Sequence, residues 1–219
     1  FAALNTRDPA NVDNISEIVG TQTTLAGLLA DRGDRAGALE HLDQARSRLA
    51  ALMARPTPKR TWRLANTARV AELRGRLAQG DADRAAAAAG LAAFLADVRL
   101  YESEGGVVTQ LDALAICSAA LVQGDLLARG GRPDQARAAW QAAASRIRPV
   151  AERLIPAAMT VLGQLDLRLG GTQDARAWAD RVLRTTYRHP AFADLQQGLG
   201  PTALAGEAAA RAVRLSRVR

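Results

Sequence analysis

Four glycines divide most of the chain into alternating segments with helical periodicity. They are Gly33, Gly80, Gly131 and Gly170, and each is followed by polar or turn-forming residues and then by an alanine-rich stretch. Glycine accepts the left-handed conformation past a helix C-terminus without steric cost, and Asp, Thr and Pro suit the cap and first turn of the next helix. The pattern therefore predicts a helix–turn–helix hairpin that is repeated four times.

The segments between these glycines place leucine and other apolar residues at three- and four-residue steps, and no window alternates as a β-strand does. Abundant alanine and few β-branched residues favour helix further. The predicted helices lie near 14–32, 35–54, 60–79, 82–103, 108–130, 133–148, 156–169 and 173–186, with shorter ones near 190–198 and 203–216. They form hairpins at about 14–54, 60–103, 108–148 and 156–186. The sequence thus predicts an all-α fold.

The chain carries a net charge of +7 and has an isoelectric point near 11.0, a balance that raises nucleic acid or an acidic membrane as partners. The basic residues are almost all arginines, however, and they are scattered through every predicted helix beside acidic residues. We interpret the charge as a compositional background. The segment 200–219 is a basic helix or tail whose arginines recur at three-residue steps, as Arg211, Arg214, Arg217 and Arg219. We expect it to be solvated, and contact with an acidic partner, nucleic acid or lipid headgroups is the alternative.

Residue patterns that carry chemistry are missing from the sequence. His41 and His189 are the only histidines and lie in no metal-ligand spacing, and His41 is expected on a solvated, charged face. The single cysteine, Cys117, lies in an apolar run and is expected to be a buried small hydrophobe. No phosphate-binding or dinucleotide-binding motif occurs, and no apolar stretch is expected to span a membrane. We therefore expect no enzyme activity, no metal and no cofactor.

The hairpins resemble tetratricopeptide repeats over about residues 1–187. In the first hairpin the matching positions are Leu25, Ala26, Leu29, Gly33, Ala38, Leu42 and Ala45. In the third they are Gly124, Leu127, Gly131, Ala136, Trp140 and Ala143, and in the fourth Leu162, Gly163, Gly170, Ala175 and Ala179. The second hairpin, with Gly75, Gly80, Ala85 and Leu91, matches poorly. The turn glycines lie 47, 51 and 39 residues apart, as their numbers 33, 80, 131 and 170 give, where the family norm is about 34.

The resemblance implies a right-handed superhelical array of antiparallel hairpins that binds a protein or peptide in a concave groove, with residues 1–199 forming the repeat domain. The residues that would line the groove are Thr23, Gly27, Asp31, Arg69, Glu72, Arg76, Leu121, Asp125, Arg129, Thr160, Gln164 and Arg168. A nucleic-acid-binding helical-repeat module and an all-α small-molecule sensor stay open as alternatives. The oligomeric state is left open too.

The two ends of the sequence give an expectation about context. Phe1, Leu4 and Pro9 have the spacing of the end of a repeat, so further repeats are expected upstream. The segment 187–192 is similar to the end of helical-repeat regions in large bacterial signalling proteins. The chain is therefore expected to be a docking or sensory region of such a protein. Its expected compartment is the cytoplasm, or the periplasm if the parent protein has an upstream membrane span.

Overall fold

The computed structural model describes residues 12–53 and 60–200, and every regular element in these two ranges is a helix. The helices are α1 (Val12–Asp31), α2 (Arg35–Met53), α3 (Arg60–Arg76), α4 (Gly80–Ser103), α5 (Gln110–Arg129), α6 (Pro133–Ala151), α7 (Pro156–Arg168), α8 (Thr172–Leu183) and α9 (Pro190–Leu199). The all-α class is confirmed, and each of these helices begins and ends within a few residues of its predicted bounds. The helix predicted near 203–216 and the basic tail lie outside the described residues.

Gly33, Gly131 and Gly170 follow the ends of α1, α5 and α7 as predicted, whereas Gly80, which was predicted to end a helix, is the first residue of α4. Their φ angles are +82° at Gly33, +71° at Gly80, +72° at Gly131 and +90° at Gly170, which is the left-handed region. In the first turn the Gly33 amide donates to the Ala30 carbonyl at 2.9 Å, and the next amide donates to the Leu29 carbonyl at 2.9 Å. These bonds satisfy carbonyls that the end of α1 would otherwise leave without donors.

The chain divides into two compact units, residues 1–136 and 137–219, with the boundary inside α6. In the first unit α1 packs on α2, α3 packs on both, and α4 and α5 pack on α3 and on each other. In the second unit α7 packs on α8, and α9 packs on both.

Two apolar clusters of described residues lie in the core of the first unit. One joins α1 and α2 with Val70 of α3, and Leu73 and Leu77 of α3 pack against it. The other joins α3, α4 and α5 and includes Leu91 and Phe94 of α4. Helix α3 therefore lies between the two clusters and contributes to each.

Two glycines allow helices to approach closely. A Cβ on Gly75 of α3 would lie 2.6 Å from Val122 Cγ1 of α5 and 3.1 Å from Leu91 Cδ1 of α4. A Cβ on Gly163 of α7 would lie 2.8 Å from a Leu195 methyl of α9 and 3.4 Å from Trp178 Cβ of α8. In each unit a glycine thus stands where one helix meets two others, and no side chain fits there without movement of its neighbours.

Helix α5 has the length and apolar composition that a membrane-spanning helix needs, and no other described helix does. Within the most apolar 18-residue stretch of this helix, 67% is buried inside the protein. The core helix of a globular protein meets the same criteria, so the expectation that the chain has no transmembrane segment stays a prediction.

Candidate functional site

The first part of the predicted groove falls on α1. Asp31 is exposed in the last turn of the helix, and Thr23 is half-buried with its hydroxyl donating to the Val19 carbonyl at 2.8 Å. Gly27 faces α3, since a Cβ there would lie 4.0 Å from a Leu73 methyl. This face of α1 therefore combines one exposed carboxylate with a surface that lacks large side chains.

The second part falls on α3, which packs against α1. Arg69 and Arg76 are exposed, and Glu72 between them is half-buried. The Glu72 carboxylate pairs with the Arg76 guanidinium at 2.8 Å. The predicted groove residues of these two packed helices include charges of both signs, and we call this set the α1–α3 face: Thr23, Gly27, Asp31, Arg69, Glu72 and Arg76.

The three predicted groove residues of α5 differ in exposure. Leu121 is buried, Asp125 is half-buried and Arg129 is exposed in the last turn. A cation in the last turn interacts favourably with the carbonyl end of the helix dipole, so Arg129 has a stabilising role that needs no partner.

The predicted groove residues of α7 are largely engaged inside the second unit. Thr160 is buried, and its hydroxyl donates to the Pro156 carbonyl at 2.8 Å. Arg168 is half-buried, and its guanidinium donates to the Gln164 carbonyl at 3.2 Å. Gln164 is buried, and its Nε2 donates at 2.8 Å to the Ala191 carbonyl in the first turn of α9. Gln164 thus joins two helices, and the side chains of Thr160 and Gln164 present almost no surface to a partner.

Two ion pairs between helices of the first unit were not anticipated from the sequence. The Arg35 guanidinium pairs with the Asp83 carboxylate at 2.7 Å, and its Nε donates to the Leu77 carbonyl at 2.8 Å. Arg74 of α3 pairs with Asp43 of α2. Arg35 therefore connects the first glycine turn to the second, and both pairs hold neighbouring helices in register.

Asp166 is a buried carboxylate that contacts two other helices. It is buried in α7, accepts a hydrogen bond from Trp178 Nε1 of α8 at 3.1 Å, and lies 3.4 Å from the Arg148 guanidinium of α6. Burial raises the pKa of Asp166, and the attraction of Arg148 and the Trp178 hydrogen bond offset only part of that effect. Since the carboxyl connects three helices of one unit, its geometry is that of a structural group.

Other candidate groups are dispersed. In the described ranges, no three His, Cys, Asp or Glu side chains come close enough together to hold a metal ion. Cys117 is buried, as expected, and His189 accepts a hydrogen bond at Nδ1 from the Ala191 amide at 3.2 Å, which caps α9. The expectation for His41 was wrong in part, because its side chain is half-buried and its Nδ1 is shielded without a hydrogen-bond partner.

An open depression of about 800 Å³ lies along α2, and it was not predicted from the sequence. Its described lining consists of Ala36, Leu39, Glu40, Asp43, Gln44, Ser47, Arg48 and Ala51. These residues mix small apolar surface with charges of both signs. The depression therefore has the character of a shallow polar surface.

No protein-family model, no curated protein and no solved structure matches the chain. The tetratricopeptide resemblance therefore stays a prediction. Function has to be argued from the packing of the helices and from the α1–α3 face.

Proposed function

We propose that this chain is a non-catalytic protein-interaction scaffold, built as a right-handed array of antiparallel helix hairpins similar to tetratricopeptide repeats. A peptide or a partner protein binds along the concave face formed by the first helices of the hairpins. The chain serves as a docking or sensory region of a larger bacterial signalling protein.

The observation that carries the proposal is the order of packing in the first unit. Helix α3 packs on α1 and α2, and α5 packs on α3 and α4. Each first helix thus contacts the whole preceding pair. Stacked hairpins need this arrangement, because a single hairpin cannot bury its apolar stripe alone.

The α1–α3 face supplies the binding chemistry. Arg69 and Arg76 are exposed, and Asp31 lies on the adjacent helix. Arginine presents a planar set of donors that binds carboxylates in a fixed geometry, and Asp31 attracts a cation. A face of this kind suits a segment that carries acidic side chains with a basic residue nearby.

The proposal includes the absence of catalysis, and Asp166, a described carboxyl group with a raised pKa, does not suit a catalytic role. General acid–base catalysis needs a group with a shifted pKa within hydrogen-bond reach of a substrate. Asp166 has a raised pKa, but it is buried and bonded to Trp178. Its position suits the packing of α7 on α8.

A peptide library tests the proposal directly. Random peptides displayed on phage are selected on the full chain, and the dissociation constants of the selected peptides are measured by fluorescence anisotropy. We expect Arg69→Glu to weaken binding about tenfold or more, since it replaces a charge-assisted contact by repulsion. Arg99→Glu is the matched control, because Arg99 is an exposed arginine on α4, away from the face.

Two results would count against the proposal. One is a set of selected peptides that bind Arg69→Glu as tightly as the wild-type chain. The other is affinity for nucleic acid that falls steeply with salt concentration, which would favour the nucleic-acid alternative.

The depression along α2 offers the small-molecule alternative a place to bind. A metabolite that raises the melting temperature of the wild-type chain but not of Ser47→Trp, which fills the depression, would support that alternative. We expect no metabolite to stabilise the wild-type chain more than the Ser47→Trp variant, because the depression is open and few apolar side chains line it.

A further inference from the structure

Three small buried residues mark equivalent positions in the first unit. Ala26 of α1, Gly75 of α3 and Gly124 of α5 are buried and lie 49 residues apart, from 26 to 75 and from 75 to 124. At Gly75 a Cβ would meet both the following helix and the one after it. This common register allows α1, α3 and α5 to be compared position by position.

In this register, four positions of α3 correspond to four of α5, and all but Asn66 belong to or pack against a core cluster shared with the preceding pair of helices. On α3 they are Asn66, Val70, Leu73 and Leu77, and on α5 they are Ala115, Ala119, Val122 and Leu126. Val70 belongs to the cluster of α1 and α2, with Leu73 and Leu77 packed against it. The four α5 residues belong to the cluster of α3 and α4. Seven of these eight positions are thus packed against the preceding pair of helices, and Asn66 is buried.

The same four positions on α1 are exposed to solvent. They are Glu17, Thr21, Thr24 and Leu28, and Leu25 beside them is exposed as well. The exposed fraction is 53% at Leu28 and 39% at Leu25, compared with 4% at Val70. The Thr21 and Thr24 hydroxyls donate to carbonyls four residues earlier, at 2.8 and 2.9 Å. Since their hydroxyls are satisfied within the helix, both threonines can offer their methyl groups to a neighbour.

The exposed stripe is complementary to a reversed copy of itself. When a second α1 lies antiparallel with Thr24 opposite Leu25, Thr21 falls opposite Leu28. Glu17 then falls opposite Arg32, which is also exposed. A two-fold axis between the helices therefore places four leucine–threonine pairs at the centre, and a Glu17–Arg32 pair at each end.

We propose that a second copy of this chain binds the exposed stripe of α1, so that two chains form a symmetric dimer through antiparallel α1 helices. Two observations support this occupant: the matching positions of α3 and α5 pack on a helix, and acid and base are placed for a reversed copy. The stripe lies on a different side of α1 from Thr23 and Gly27. The dimer can therefore be tested independently of the proposed function, with substitutions of residues that do not belong to the α1–α3 face.

Sedimentation velocity of the full chain over a range of concentrations tests the dimer. We expect a dimer in the wild-type chain, and an increase of about a hundredfold or more in the dissociation constant for Leu28→Glu, because each dimer contains this leucine twice. Leu111→Glu is the matched control, since Leu111 is 76% exposed at the start of α5. It should leave the dissociation constant unchanged.

Charge reversal tests the orientation of the two helices. Glu17→Arg and Arg32→Glu should each weaken the dimer, whereas the double variant Glu17→Arg/Arg32→Glu should restore it, since the pair reforms with opposite signs. Failure of the double variant to recover would overturn the antiparallel arrangement. A wild-type chain that sediments as a monomer at every concentration, or a dimer insensitive to Leu28→Glu, would overturn the proposal itself.

Discussion

The close approach of helices at Gly75 predicts that this glycine cannot be replaced without loss of stability. An alanine there would place its Cβ 2.6 Å from Val122 Cγ1, and Val122 is buried and restricted at χ1. Overpacking of this kind costs about 1–3 kcal/mol. Alanine also favours a helix over glycine by about 1 kcal/mol. The measured change for Gly75→Ala should therefore be a net destabilisation of up to about 2 kcal/mol.

A matched variant isolates the contact from the helix propensity. Gly90 lies inside α4 and is exposed, and a Cβ there would meet no atom within 4 Å. Gly90→Ala should stabilise the chain by about 0.5–1 kcal/mol. Because the propensity gain is common to both substitutions, the difference between the two free energies of unfolding measures the overpacking alone, about 1–3 kcal/mol. Urea denaturation followed by circular dichroism gives both values.

A double-mutant cycle then identifies the partner. Val122→Ala removes the methyl group that an alanine at 75 would meet, so Gly75→Ala should cost less in that background, with a coupling of about 1–2 kcal/mol. Additive effects of the two substitutions would refute the argument, because they would mean that α3 and α5 do not approach at this point. Equal stability of Gly75→Ala and Gly90→Ala would refute it as well.

Three further predictions concern single sites. Leu154 is 62% exposed and has φ +61°, a conformation that costs a non-glycine residue about 1–2 kcal/mol. Leu154→Gly should therefore raise the free energy of unfolding by about 0.5–1 kcal/mol, although glycine adds flexibility to the unfolded chain. A lower free energy of unfolding in urea denaturation would contradict this. Burial raises the pKa of Asp166 above its ordinary value of 3.8. Above the raised pKa the carboxyl group is ionised in the folded protein, which lowers stability. As the pH falls through the raised pKa the group is protonated, and the loss of stability disappears. The stability of Asp166→Asn relative to wild type should therefore decrease as the pH is lowered towards 3.8, and a relative stability that is flat with pH would refute the assignment. His189→Ala should lower the melting temperature, because loss of the α9 cap costs about 0.5–2 kcal/mol of stability. His189→Asp should keep the wild-type melting temperature, since aspartate also caps helices. Equal melting temperatures for all three chains would exclude a capping role.

The helices and their turns were predictable because their causes are local. Glycine at a helix end and apolar residues at three- and four-residue steps act within one or two turns of chain, and the predicted bounds agree with the structure. Exposure at the candidate site depends on distant residues instead. Gln164 is buried because its amide reaches Ala191, 27 residues away, and Arg35 reaches Asp83 across 48 residues. No local pattern in the sequence identifies such partners.

The unequal spacing of the turn glycines has a local cause that the structure reveals. Gly33 and Gly131 each precede the next helix by two residues, whereas Gly80 is itself the first residue of α4. Gly33 and Gly131 lie seven residues after Ala26 and Gly124, whereas Gly80 lies five after Gly75, and this difference of two gives spacings of 47 and 51 instead of 49. The second hairpin matches the repeat pattern poorly because its glycine lies two residues nearer to the small residue of the first helix and begins the second helix. Since the small residues at the helix contacts keep a constant interval, these contacts indicate the repeat in the first unit better than the turns do.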